Sequence, residues 1–347
     1  MLLSLGDRVV GGAAPALLVA EIGSRHDGDL ARALALIDAA ADAGADAVQF
    51  DSYRASRLLA RGAAAGPAAG AAADTYARLE RTELRTEWHA VLRARATARK
   101  LLFLSVPFDE QRGELLAALG VRAFPVAPGD VTHLPLLRVL GGFGRPILLG
   151  ASLAGEGDVA AALIAIGEGA GAPPRRPPVV LVAGPNPGHG VGADLGAVER
   201  LDPRHDCLVG WSDRQPGHVL ALGAVARGAC VITKAFTDDG ARRDADHATV
   251  LDPPGFRAMV DAVRELERAL CGERRGSRGG VAAVRRGESR GVYAARALAA
   301  GTVLAAADLK IVRPALGAPP ASLPALVGRR LLRACASDQP VDVDDVA

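Results

Sequence analysis

ALLVAEIGSRHDGDLARALALIDAAADAGADAVQFDSY, residues 16–53, contains one full period of the pattern that decides the fold. An apolar run, Ala16–Ala20, ends in the polar Glu21. Leu30, Leu34, Ile37 and Ala41 then recur at helical spacing. Asp29 stands just before them, and aspartate caps helix starts by accepting from the first free N–H groups. Gly44 closes the helix, because glycine tolerates the left-handed conformation that ends helices. A second apolar run, Ala45–Phe50, begins at once. Strand, polar strand end, amphipathic helix and strand make a βα unit of a parallel sheet, since parallel neighbours need a crossover.

Read outward from there, the run recurs at Leu101–Ser105, Arg122–Ala127, Arg145–Leu149, Pro178–Ala183, Asp206–Gly210 and Ala229–Lys234. Eight strands alternating with helices predict a (β/α)8 TIM barrel over residues 1–270, with its chemistry at the C-terminal strand ends. Residues 4–12 (SLGDRVVGG) read as a hairpin plugging the barrel floor, and 61–73 (RGAAAGPAAGAAA) as a mobile loop after the second strand. Residues 184–192 (GPNPGHGVG) lack the lysine and the glycine order of phosphate-binding loops and read as a flexible strand-end loop. Residues 271–290, glycine- and arginine-rich with little apolar content, read as a linker. Residues 291–347 predict a compact β-rich domain with a brief helix from Ala306.

Composition sets further bounds. Half of the 347 residues are hydrophobic and 3% aromatic, so the core is built from Ala, Leu and Val. A net charge of +2 offers no field for nucleic acid or an anionic membrane. No apolar stretch is long enough to span a bilayer, and the N-terminus lacks a signal-peptide pattern. Four scattered cysteines without a CxxC pair read as reduced thiols of a cytoplasmic protein. The histidines show no metal-ligand spacing.

The segments VAEIGSRHDG (19–28), GADAVQFDSY (44–53), FLSVPFD (103–109), VRAFPVAPGDVTHLPLL (121–137), GWSD (210–213), VITKAFT (231–237) and ADHATVL (245–251) resemble the sialic acid synthase family. VYAARALAAGTVLAAADLKIVRP (292–314) resembles that family's appended antifreeze-like (SAF, β-clip) domain. The resemblance implies condensation of phosphoenolpyruvate with an N-acyl hexosamine to a nonulosonic acid. It also implies a homodimer, in which the C-terminal domain of one subunit caps the barrel of the other. The polyanionic donor needs fixed cations, and the family polarises the sugar aldehyde with a divalent metal held by two histidines.

Carried over position by position, the resemblance makes Glu21, Asp246 and His247 the catalytic candidates. It makes Asp51, Ser105, Asp130, Ser212, Asp213 and Lys234 candidates for substrate binding, with Arg313 reaching the sugar's acyl group from the partner subunit. His26 and Asp109 match family positions as well. Other positions depart. Gln49 and Pro125 stand at two phosphate-site lysines, while Pro128, Val106, Gly150 and Ala151 stand at hydroxyl positions. Ala183 stands at a histidine, Thr233 at a glutamate, and Arg214 and Ala235 at the two metal histidines. Each charge-assisted hydrogen bond to such an anion is worth about 1.5–3 kcal/mol, so these losses remove most of the grip on a polyanion.

The chain is therefore expected to hold a different sugar or carbonyl compound, with Gln49 and Arg214 as altered specificity positions and no cofactor, since the metal's histidine ligands are absent. The rival reading is a catalytically inactive homologue that binds a ligand or partners an active relative. Arg54, Arg57 and Arg122 decide between them: turned into the mouth they would restore anion binding, turned outward they would favour the rival.

Overall fold

The computed structural model describes residues 1–61, 72–171, 176–185, 193–238, 249–270 and 284–347. Backbone contacts divide the chain into two compact units, Met1–Cys271 and Gly272–Ala347.

The first unit opens with a hairpin, β1 (Leu3–Leu5) against β2 (Arg8–Val10). Eight parallel strands follow: β3 (Leu17–Gly23), β4 (Ala47–Ser52), β5 (Leu102–Pro107), β6 (Phe124–Val126), β7 (Ile147–Gly150), β8 (Val179–Ala183), β9 (Leu208–Asp213) and β10 (Val231–Ala235). Their order, β5-β4-β3-β10-β9-β8-β7-β6, brings the first strand beside the last, and β5 and β6 touch at the one seam without a ladder. Each of the eight predicted runs overlaps one of these strands.

Helices link the strands on the outside: α1 (Leu30–Asp42), α2 (Ala55–Leu58), α3 (Ala72–Arg81), α4 (Trp88–Ala98), α5 (Glu110–Leu119), α6 (Leu134–Gly142), α7 (Glu156–Gly169), α8 (Gly196–His205), α9 (Val219–Ala226) and α10 (Pro253–Leu270). α1 starts as its sequence dictates, with the Asp29 carboxylate accepting from Ala31 and Arg32 N–H. Its buried face is Ala33, Leu36, Ile37 and Ala40, and the expected Leu30, Leu34 and Ala41 flank it, partly buried.

Alternation along each strand splits the core in two. Leu18, Ala20, Ile22, Val48 and Phe50 face the helices. Leu17, Val19, Ala47, Leu104, Val180 and Val231 face the barrel axis, in one cluster with Leu3, Leu5 and Val10 of the hairpin. The hairpin thus closes the N-terminal end, as the sequence predicts, and chemistry is left to the opposite mouth.

In the second unit β11 (Gly291–Ala294) pairs antiparallel with β12 (Leu309–Val312) around Val292, Leu298, Leu304, Leu326, Leu331 and Val341. The brief helix foreseen near Ala306 is a 3-10 turn, Ala306–Asp308, and a short α11 (Leu323–Leu326) follows. Within the expected linker, residues 284–288 are helical and 271–283 lie outside the described residues. No helix among the described residues is long and apolar enough to cross a membrane.

Candidate active site at the barrel mouth

The C-terminal strand ends enclose a cavity of about 660 Å³. Four adjacent strands, β9, β10, β3 and β4, line it with Ser212, Thr233, Glu21, Gln49 and Asp51. Three guanidiniums join them: Arg25 after β3, Arg214 after β9 and Arg78 on α3. The other four strands present Val106, Pro125, Val126, Leu148 and Val182. Gly150 lacks a side chain because a Cβ there would lie 2.8 Å from Pro128.

Glu21 lies at the centre of the polar half. Parallel register sets it beside Gln49 on one side and Ala235 on the other. Arg214 Nη2 donates to Glu21 Oε1 at 2.5 Å, an ion pair with a buried carboxylate and a half-exposed guanidinium. A bulge after Glu21 turns the chain through Gly23, whose φ is +57°. A side chain at Gly23 would begin 3.0 Å from Asp51 Oδ2, so glycine lets that carboxylate occupy the mouth. Burial raises the Asp51 carboxyl to about 7; the Glu21 charge adds to this, and Arg214 and Arg25 oppose it. The mouth therefore holds one carboxylate paired to an arginine beside a second carboxyl that exchanges its proton near neutrality.

Of the residues selected from sequence, Glu21, Gln49, Asp51, Ser212 and Arg214 meet in this cavity. Ser105, Asp213 and Lys234 do not line it. Strand alternation turns them toward the helices: Ser105 lies in register with Phe50, and Lys234 with Ala20 and Asp213. Lys234 is fully buried, with Nζ 3.3 Å from Asp213 Oδ2 and a hydrogen bond to the Gln215 carbonyl. Burial raises the Asp213 carboxyl and lowers the Lys234 amine, each shift opposed by the partner's charge. This buried pair fastens the segment that carries Arg214.

Asp130 sits in the turn Pro128–Asp130 behind the apolar half, its carboxyl raised by burial. Arg313 belongs to the second unit, where Nη1 lies 2.5 Å from Glu288 Oε2. Asp246 and His247 lie outside the described residues, as do 62–71 of the alanine-glycine loop and 186–192 of the glycine-rich loop. His26 is fully buried behind the strands, its ring between Phe50 and Trp88, and burial lowers it to about 4. Asp109 caps α5 through Arg112 N–H.

None of the three arginines nominated from sequence lines the mouth. Arg122 lies at the floor, against Gly6 of the hairpin, and Arg54 and Arg57 are exposed beyond the cavity. Arg25 and Arg78 supply positive charge there instead. Arg25 was legible, since it follows Ile22-Gly23-Ser24 directly off a strand end. Arg78 was not, because only the placement of α3 brings it to the mouth.

The residues present do not fit the divalent metal that the resemblance implies. Arg214 brings a cation to one ligand position, Ala235 brings no donor to the other, and the described residues contain no group of three or more His, Cys, Asp or Glu placed to hold a metal ion.

Comparison with known proteins agrees with this architecture. Residues 36–275 match the NeuB family and 289–347 the SAF domain. An N,N'-diacetyllegionaminic acid synthase from Campylobacter jejuni is 30% identical over 258 residues, covering 73% of this chain and 77% of that protein. A second, from Legionella pneumophila, is 29% identical and covers 90% of each. Among solved structures, the spore coat polysaccharide biosynthesis protein spsE of Bacillus subtilis superposes with a TM-score of 0.65 at 26% identity, covering 100% of this chain and 99% of that one. The chain belongs to the NeuB family.

Proposed function

From membership of the NeuB family, we propose that this chain is a nonulosonic-acid-synthase-type condensing enzyme with a remodelled site. An enolic three-carbon acid, phosphoenolpyruvate in the family the sequence resembles, would add through its C3 to the aldehyde carbon of an N-acyl sugar. Water then adds at C2 and inorganic phosphate leaves. The observation that carries this reading is the convergence of Asp51, at about 7, with the Glu21–Arg214 pair at one strand-end cavity. A carboxyl titrating near the working pH is suited to give and take a proton. Asp51 would deliver its proton to the aldehyde oxygen as the new bond forms, and Glu21 would accept one from the incoming water. The Arg214 guanidinium would polarise the aldehyde by two-pronged donation, a charge fixed without a metal. Arg25 and Arg78 would hold the acid.

The same reading places a second copy of the chain in the working assembly, its C-terminal domain bringing Arg313 to the sugar's acyl group. It is tested by incubating the protein with phosphoenolpyruvate and a panel of N-acyl hexosamines while following phosphate release and product mass. Turnover with one of them supports the proposal, and Arg313→Ala then raises KM for the sugar. No turnover with any of them favours the second reading, a ligand-binding homologue. That reading draws on Arg54 and Arg57, exposed beyond the cavity, and Arg122 at the floor, and on the closeness of the Glu21–Arg214 pair, which occupies the carboxylate that would otherwise act on water.

A further inference from the structure

The division of the mouth follows the sheet strand by strand. On β9, β10, β3 and β4 the described side chains that reach the cavity carry hydroxyl, amide or carboxyl groups, and the three guanidiniums cluster on that side. On β5, β6, β7 and β8 they are Val106, Pro125, Val126, Leu148 and Val182, continued above β5 by Phe108. The same strand faces are uniformly apolar nearer the floor, where Val19, Ala47, Leu104 and Val180 meet. Among the described residues, one half of the barrel thus turns polar at the mouth and the other does not.

An anionic group laid on the apolar half would lose its water without meeting a side-chain donor among the described residues. The described side chains there are hydrocarbon, and Pro125 and Pro128 have no N–H. The nearby Asp130 and Ala151 N–H groups are already spent on the Ala127 and Val182 carbonyls. Burying a polar group without a partner is costly, whereas hydrocarbon on the same surface gains by leaving water. The polar half has the opposite preference: planar guanidiniums match a carboxylate. The cavity, about 660 Å³, leaves room beside a three-carbon acid for a further group.

We propose that the mouth binds a carboxylic acid bearing an apolar arm, with its carboxylate on the arginine side and its arm laid along β5–β8. This rests on the condensing-enzyme reading only in taking the strand-end cavity as the ligand site; the acid with an apolar arm is a ligand other than that reading's three-carbon acid. Val106, Phe108, Leu148 and Val182 then set specificity for the arm, while Arg25 and Arg78 set it for the carboxylate.

The test is calorimetric titration of the full chain with straight-chain 2-oxo acids from pyruvate to 2-oxooctanoate. Affinity is expected to rise about fourfold per added methylene until the wall is covered, the gain that burial of one methylene gives. Phe108→Ser and Val106→Asn should flatten that rise, and Arg78→Ala should weaken every member by a similar factor. The Phe108 variant alters a half-buried loop residue, so the comparison survives if Val106→Asn fails to fold. Equal affinity across the series, or a rise that both folded wall variants leave unchanged, overturns the proposal. The phosphate-release assay judges the other reading separately. A chain-length rise without turnover upholds the two-faced site and sinks the condensation, and turnover with a flat series does the reverse.

Discussion

Arg214 and Glu21, 193 residues apart in sequence, meet at 2.5 Å across the ends of β9 and β3. Register places Ala235 next to Glu21, so the two positions that hold metal-binding histidines in the family the chain resembles converge on this carboxylate. One now carries a guanidinium and the other a methyl group. The pair fixes the Arg214 guanidinium at the mouth and leaves Asp51, alongside, as the group that titrates near neutrality.

Asp51 reports on that arrangement. Its folded-state pKa, about 7, lies above the ordinary carboxyl value of 3.8, so the folded protein binds the proton more tightly. Its contribution to stability is full below the unfolded value and is lost as pH rises through 7. Asp51→Asn should therefore be more stable than wild type by a few kcal/mol above pH 7, the gap closing toward pH 4, in urea unfolding at each pH. Glu21→Gln removes a neighbouring negative charge and should lower the Asp51 titration seen by carboxyl carbon NMR. An unmoved midpoint would separate the two carboxyls electrostatically.

His26 and His89 are both lowered to about 4, chiefly by burial. Each stabilises the fold while neutral, an effect present above the unfolded value of 6.5 and lost as pH falls through 4. Their ring resonances should stay at neutral positions through pH 5. His26→Ala also removes the acceptor of the Gly28 N–H and the ring between Phe50 and Trp88. It should cost about 2–4 kcal/mol in urea unfolding.

Lys234 tests strand alternation. Removing one member of a buried ion pair leaves the other uncompensated, so Lys234→Met should destabilise the barrel by about 3–5 kcal/mol, and Lys234→Met/Asp213→Leu should recover most of it. Affinity of the folded variant for a 2-oxo acid should stay within about twofold of wild type, a difference below about 0.4 kcal/mol. A large affinity loss with unchanged stability would return Lys234 to the site.

The fold was legible because its signal is repeated: apolar runs of strand length, each followed by helical periodicity. The site was legible only in part. Glu21, Gln49, Asp51, Ser212 and Arg214 follow from the rule that strand ends carry the chemistry. Ser105, Asp213 and Lys234 obey the same rule in sequence, but a strand offers alternate residues to opposite faces, and one position decides between cavity and helix layer. Arg25 was legible from its place just past a strand end, whereas Arg78 reaches the mouth from a helix whose placement no periodicity encodes. The polar and apolar halves emerge only when β9, β10, β3 and β4 become neighbours by closure of the sheet.

Manganese binding examines the metal site without a substrate. Wild-type protein should show no stoichiometric site by calorimetry. Arg214→His/Ala235→His places two imidazoles beside Glu21 and should bind one manganese per chain. Micromolar binding of one manganese per wild-type chain would show that other residues hold it.

The most direct measurement is the rate of carbon–carbon condensation, for whichever N-acyl sugar is accepted, with chelator present and with manganese added. The Glu21–Arg214 site predicts the same rate in both conditions and its loss in Arg214→Ala. A rate abolished by chelator, restored by manganese and indifferent to Arg214→Ala would contradict the account.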